Sequence, residues 1–346
     1  MKKSAYDFVV DQWSTVPAVE TADLTGQTVV VVGANTGIGL EAAKHFAKMN
    51  PKRLIIGCRS FERGNAALEE IKKETDYLHT ELWLIDLTDF STVKAFADRF
   101  NEEGGKKIDI LVMNAGILKS QYLQTADGWE ETVQVNHLST ALLSILLLPN
   151  LCEQGNQLAS RLVIVSSDVH YWAEFQPEIL NSKEPLRILS SKEYSTPKNM
   201  KNRYFETKLL NVFFVRALSA HLSSRSAPTV VAVNPGFCYS QLRRSMNDYL
   251  GLSIFNFCLE KAFARTSEQG GRQLVYGAVH GRGDEEEKMH GSFVSRGQVE
   301  EVADFALSEE GATMQSKVWD ETIGILSHVS DKVECIEKEF LNKDNA

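Results

Sequence analysis

Short apolar runs bounded by turn residues recur along this chain, spaced widely enough for a helix between them. The first, Thr28–Val32, ends in a glycine-rich turn. Arg53–Cys58, Glu81–Ile85, Asp109–Met113, Arg161–Val165 and Thr229–Val233 follow. Continuous apolar runs of this length suit strands buried on both faces. Apolar spacing predicts helices at Glu41–Lys48, Phe61–Glu74, Ser91–Phe100 and from Tyr204 to about Ala220. Strands alternating with helices predict an α/β fold around a doubly wound parallel sheet. Ser292–Val294 is a further candidate strand, and Gln315–Leu341 reads as one or two surface helices.

Residues 1–22 precede the first strong pattern and read as an N-terminal extension; residues 23–346 read as one domain. Two stretches break the rhythm. Asp168–Arg203 is long and polar, with Pro177, Pro185 and Pro197. Phe237–Arg265 joins Arg243 and Arg244 to an apolar segment, Leu250–Phe257; Met246, Leu250 and Phe255–Phe257 read either as an apolar lid or as an ordinary amphipathic helix. Long excursions of this kind are functional lids or disordered insertions.

Composition narrows the partners. The net charge of −9 is spread along the chain, which argues against nucleic acid, since phosphate binding needs clustered Lys and Arg. Five scattered cysteines without CxxC spacing argue against a disulfide framework or a metal site. His170, His221 and His290 have no ligand spacing either. The longest apolar run, Ala141–Leu148, is too short to span a bilayer. The expectation is a cytoplasmic protein, with peripheral membrane association left open.

The most specific local motif is Gly33-Ala34-Asn35-Thr36-Gly37-Ile38-Gly39, between a strand and a helix. Glycines there allow a tight turn, and the helix N-terminus offers free N–H groups to a pyrophosphate. The end of the second strand reads Ile56-Gly57-Cys58-Arg59-Ser60, with no acid beside Arg59. A guanidinium there suits a ribose 2′-phosphate, so NADP(H) is expected over NAD(H), with Arg63 as a second cation. Tyr204 and Lys208 stand four residues apart on a predicted helix and therefore share a face. An ammonium near a phenol favours the phenolate and makes it a usable acid or base.

The GxxxGxG turn followed by YxxxK resembles the short-chain dehydrogenase/reductase family, whose fold is Rossmann-type. Val32 stands where that family usually has Thr. The resemblance implies that Asp86 and Leu87 contact adenine, and that Asn114, Ala115 and Gly116 support the sheet and the cofactor ribose. It implies that Ser167 donates a hydrogen bond to the substrate oxygen, with Ser166 as the alternative. Asn136 would hold a water linking Lys208 to solvent, and Pro235 and Gly236 would face the nicotinamide. Ser167 and Tyr204 are 37 residues apart, where the family usually has about a dozen. That long step, with GANTGIG and GCRS, resembles the retinol-dehydrogenase-like branch, and secondary-metabolism members in fungi fit this pattern. Trp172, Phe175 and Tyr194 in the long segment either line a pocket or pack it down.

The implied activity is carbonyl/alcohol interconversion, by a ketoreductase or alcohol dehydrogenase, on a bulky lipophilic alcohol, ketone or aldehyde. An extended-type epimerase or dehydratase, or an NADP-binding sensor or scaffold, are the alternatives. Family members often pair as homodimers through helices like those near Thr140–Leu151 and Tyr204–Ala220.

Overall fold

A computed structural model describes residues 3–103, 105, 107–152, 158–222, 227–239, 242 and 260–341. Arg243, Arg244 and the lid candidates Met246, Leu250 and Phe255–Phe257 lie outside the described residues.

Eight strands form one sheet in the order β3-β2-β1-β4-β5-β6-β7-β8. They are β1 (Thr28–Val32), β2 (Arg53–Cys58), β3 (Thr80–Leu84), β4 (Ile110–Met113), β5 (Arg161–Val165), β6 (Thr229–Asn234), β7 (Phe293–Ser295) and β8 (Gln298–Glu300). All neighbours run parallel except β7 and β8, an antiparallel pair at the edge. β1, β2 and β5 match the sequence reading residue for residue. β8 was not expected; it has three residues, two of them exposed, and so carries no apolar run.

Alternation along the central strands explains the two-sided burial. Val30 and Val32 point into one core and Val29 and Val31 into the other. α2 (Gly37–Lys48), α3 (Phe61–Thr75) and the helix Ser267–Val279 supply one core; α4 (Phe90–Glu103) and the helices Ser139–Leu146 and Met200–His221 supply the other. Strand order reverses between β1 and β4, and ligands of such sheets bind outside the strand ends at that point.

The 168–203 segment is ordered. It holds short helices at Pro177–Leu180 and Pro185–Ser190, and Phe175, Ile179, Leu186, Leu189 and Tyr194 are buried beneath it. The C-terminal helix Glu309–Val329 clasps it. Glu321 accepts from the backbone N–H of Leu186 and Arg187 at 2.6 and 3.0 Å, and Lys317 donates to Leu180 O at 2.8 Å. That helix also lies on Met200–His221, with Trp319 stacked on Phe214 and His221. All eight residues of Ser139–Leu146 are buried. Both helices named for homodimer pairing thus pack against the chain's own C-terminal helices.

The N-terminal extension is not a loose tail. It carries α1 (Ala5–Trp13), started by a reciprocal capping box between Ser4 and Asp7. A helix of nine residues is marginal by itself, so tertiary contacts must hold it. Buried Lys3 pairs with Asp11 and Glu300, each at 2.8 Å, and with Asp168 at 3.4 Å. Arg296 bridges Asp11 and Glu300 from the other side. Gln12 donates to Phe237 O at 2.9 Å and accepts from Phe237 N at 3.0 Å.

Candidate active site

The turn after β1 is shaped by close backbone approach. Gly33 has φ +87°, and a Cβ there would lie 2.7 Å from the Ala115 backbone. A Cβ on Gly39 would lie 2.4 Å from Gly33 O and 2.5 Å from Asn114 Nδ2. Gly37, at φ +61°, faces open space. Asn114 Nδ2 donates to Gly33 O at 2.8 Å, and the Asn114 and Ala115 N–H groups donate to Val32 O at 3.1 and 2.9 Å. Backbone bonds therefore tie the turn to β4 where Val32 replaces the usual Thr. Thr36 opens α2 with no side-chain cap, leaving first-turn N–H groups for an anion beside Asn35, Gly37 and Ile38.

The remaining cofactor candidates line the same cleft, of about 610 Å³. Arg59 and Arg63 are exposed at its rim, and among the described residues neither is paired with an acid. Asp86 accepts from the Thr88 N–H and hydroxyl at 3.0 and 2.8 Å, a local turn that fixes its carboxylate. Leu87 is buried, and its carbonyl accepts from Ser139 at 2.6 Å. Gly116 sits between Asn136 and Lys208: a Cβ there would be 3.3 Å from Asn136 Oδ1 and 3.7 Å from Lys208 Nζ. A cleft with close backbone approach, a free helix N-terminus and exposed Arg59 and Arg63 at its rim fits a dinucleotide.

The helix Met200–His221 places Tyr204 and Lys208 on the cleft side, with Nζ 5.5 Å from the centre of the Tyr204 ring. Lys208 Nζ donates to Val165 O at 2.8 Å. An ammonium has three N–H groups, so two remain for a ligand or water. Burial lowers the Lys208 pKa to about 8. Asn136 lies in a π-helical turn, Gln134–Leu138, inside an otherwise α-helical stretch. Its amide is engaged on both sides: Oδ1 accepts from Ile117 N at 2.8 Å, and Nδ2 donates to Ile117 O at 2.9 Å and Thr207 Oγ1 at 3.1 Å.

The two serines after β5 separate cleanly. Ser166 is buried, and its hydroxyl donates to Lys208 O at 2.8 Å, locking the helix to the sheet. Ser167 is half-buried, lines the cleft and accepts a 3.4 Å contact from Val169 N. Beyond β6, Pro235 and Gly236 reach the cleft from the opposite side; Gly236, at φ +81°, packs against Arg265 and Gln12. Of the ambiguous aromatics, Trp172 lines the cleft, whereas Phe175 and Tyr194 are buried in packing.

Two features escaped the sequence reading. Arg203, next to Tyr204, is fully buried between Glu130 at 3.3 Å and Glu206 at 3.1 Å, and it also donates to Leu189 O. It therefore joins the Met200–His221 helix to the inserted segment. The other feature is Phe8, which reaches the cleft from α1. The Ser4-to-Asp7 spacing is the signal that could have revealed that helix.

The family model for short chain dehydrogenases matches residues 27–175. The short chain dehydrogenase sol3 of Alternaria solani is 36% identical over 265 residues, covering 76% of this chain and 88% of the relative. The short-chain dehydrogenase anuD of Penicillium roqueforti is 34% identical over 335 residues, covering 93% and 83%. The chain belongs to the short-chain dehydrogenase/reductase family of oxidoreductases. A member from Sphingobium yanoikuyae, solved in complex with NADPH, shares the fold at TM-score 0.52 and 23% identity, covering 74% of this chain and 83% of that one. Within this family the described residues contain no helix long and apolar enough to cross a membrane.

Proposed function

We propose that the chain is an NADP(H)-dependent oxidoreductase that interconverts a carbonyl and an alcohol on a bulky lipophilic substrate. One observation carries this reading: the glycine turn, Ser167, Tyr204 and Lys208 all open onto a single cleft with the exposed Arg59 and Arg63 at its rim. Gly33, Asn35, Thr36, Gly37, Ile38 and Gly39 would hold the pyrophosphate, and Arg59 with Arg63 the 2′-phosphate. Asp86, Leu87, Asn114, Ala115 and Gly116 would border the adenosine and ribose. Pro235 and Gly236 would border the nicotinamide. Bound there, NADP(H) supplies or accepts the hydride.

The chain's own residues handle the oxygen and its proton. Ser167 and Tyr204 hold the substrate oxygen, and Tyr204 gives or takes the proton. Lys208, charged below about pH 8, favours the tyrosinate and offers its remaining N–H groups to a ribose. Asn136 holds the Ile117 segment against Lys208 and so keeps a proton path beside the ammonium. Both Nδ2 hydrogens are taken by protein groups, which leaves the second lone pair of Oδ1 for a water in that path. The Sphingobium relative with NADPH supports the cofactor, and the fungal relatives support a place in secondary metabolism. The test is oxidation of NADPH and NADH over a panel of lipophilic aldehydes and ketones, with product identification. NADPH-selective formation of an alcohol is expected; no consumption of either nucleotide across the panel would refute the reading.

A further inference from the structure

Phe8 meets Trp172 edge-on with ring centres 5.5 Å apart, and Phe237 edge-on at 6.1 Å. Trp172 in turn meets Phe205 at 6.2 Å. All four rings line the cleft. Each of the three partners neighbours a group assigned to the chemistry. Trp172 lies five residues beyond Ser167, Phe205 follows Tyr204, and Phe237 follows Gly236. Phe8 is thus the only ring of the set whose backbone has no other business at the site.

Its position is nevertheless fixed. Trp172 Nε1 donates to Lys3 O at 2.7 Å, so the aromatic wall and the start of α1 are bonded directly. Asp168, adjacent to Ser167, shares Lys3 with Asp11 of α1. Arg265 donates to Asp11 O at 2.5 Å and to Ser14 Oγ at 3.1 Å, and Trp13 stacks on Phe263 at 5.5 Å. A helix needed only to cover apolar surface would not require a buried ion cluster, whose net stabilisation is small but whose geometry is specific.

We infer that α1 is a fixed wall of the substrate site and that Phe8 selects substrates with a flat, ring-bearing apolar body beside the reacting carbonyl. This rests on the proposed carbonyl chemistry. Rings on four separate segments, packed edge to face, present rigid faces and edges that reward another ring more than a flexible chain.

The probes are methyl naphthyl ketone and methyl decyl ketone, which have equal carbon counts but differ in flatness. Binding of each to the NADP⁺-loaded protein is measured by calorimetry, with NADPH-dependent turnover and melting temperature recorded in parallel. The wild type binds the naphthyl ketone more tightly than the decyl ketone by about tenfold. Phe8→Ala removes most of that preference and leaves NADP⁺ affinity unchanged. If Phe8→Ala melts early, Phe8→Leu is decisive, because it keeps apolar bulk and loses only the ring. A preserved naphthyl preference in Phe8→Leu, or no preference in the wild type, overturns the inference. Preferential binding without turnover would instead refute the redox reading and leave the wall standing.

Discussion

The two halves of the cleft are built by different means. The cofactor half turns on close backbone approach: a Cβ on Gly33 would collide with Ala115, one on Gly39 with Gly33 O and Asn114, and one on Gly116 would crowd Asn136 and Lys208. Its parts come from the ends of the adjacent strands β3, β2, β1 and β4. The substrate half is side chain. Phe8, Trp172, Phe205 and Phe237 line it, and Arg265, Arg296 and Glu300 hold the Phe8 helix in place by contacts that span more than two hundred residues of sequence. A fixed ligand can be met by a fixed turn, whereas a family's varied substrates are met by whichever segments each chain brings to the sheet ends.

The largest effect lies where the halves meet. Tyr204→Phe should lower kcat by about 10²–10⁴-fold, the usual worth of a positioned proton donor, with NADPH affinity within roughly twofold of wild type. Kinetics with a calorimetric binding curve check both numbers. Breaking the substrate half alone calls for Lys3→Met. It leaves Asp11, Asp168 and Glu300 to share Arg296, an imbalance costing a few kcal/mol (roughly 3–5 for a fully buried pair), seen as a lower melting temperature and early proteolysis within residues 1–22. NADPH binding should survive.

Breaking the cofactor half produces the converse. Arg59→Ala removes a charge-assisted bond of about 1.5–3 kcal/mol, so NADPH binding should weaken roughly tenfold or more while NADH binding hardly moves. Gly39→Ala forces its methyl against Gly33 O and Asn114, costing about 1–3 kcal/mol in stability and weakening both nucleotides alike. The smallest effect is a pH profile. Burial holds Lys208 well below an ordinary lysine, at about 8, so the free enzyme loses this charge as pH rises through that value. kcat/KM for NADPH should be flat below about pH 8 and fall above it.

The same contrast decides what could be read from the sequence. β1, β2 and β5 are doubly buried apolar runs, and their ends were legible to the residue. The glycine turn and the Tyr204–Lys208 step were legible because each is a local pattern with one geometric outcome. Ser167 over Ser166 became a physical distinction only when the Ser166 hydroxyl was found on Lys208 O. α1 was hidden for the opposite reason. Its nine residues have little helical drive of their own, and its partners Asp168, Phe237, Arg265, Arg296 and Glu300 lie far along the chain. The inserted segment is proline-punctuated and polar, yet ordered, because Glu321 and Arg203 satisfy backbone groups that a sequence window cannot pair. The π turn at Asn136 leaves no mark in apolar spacing.

The central claim is that this cleft moves a hydride between NADPH and a carbonyl carbon under the control of Tyr204. The most direct measurement is mass spectrometry of the alcohol formed from methyl naphthyl ketone and NADPH deuterated on the transferring face of C4. One deuterium on the carbinol carbon with wild type, and a yield of labelled alcohol lower by about 10²-fold or more with Tyr204→Phe over the same time, is the predicted result. NADPH consumption without deuterium in the alcohol, or an equal yield of labelled alcohol from the variant, would contradict it.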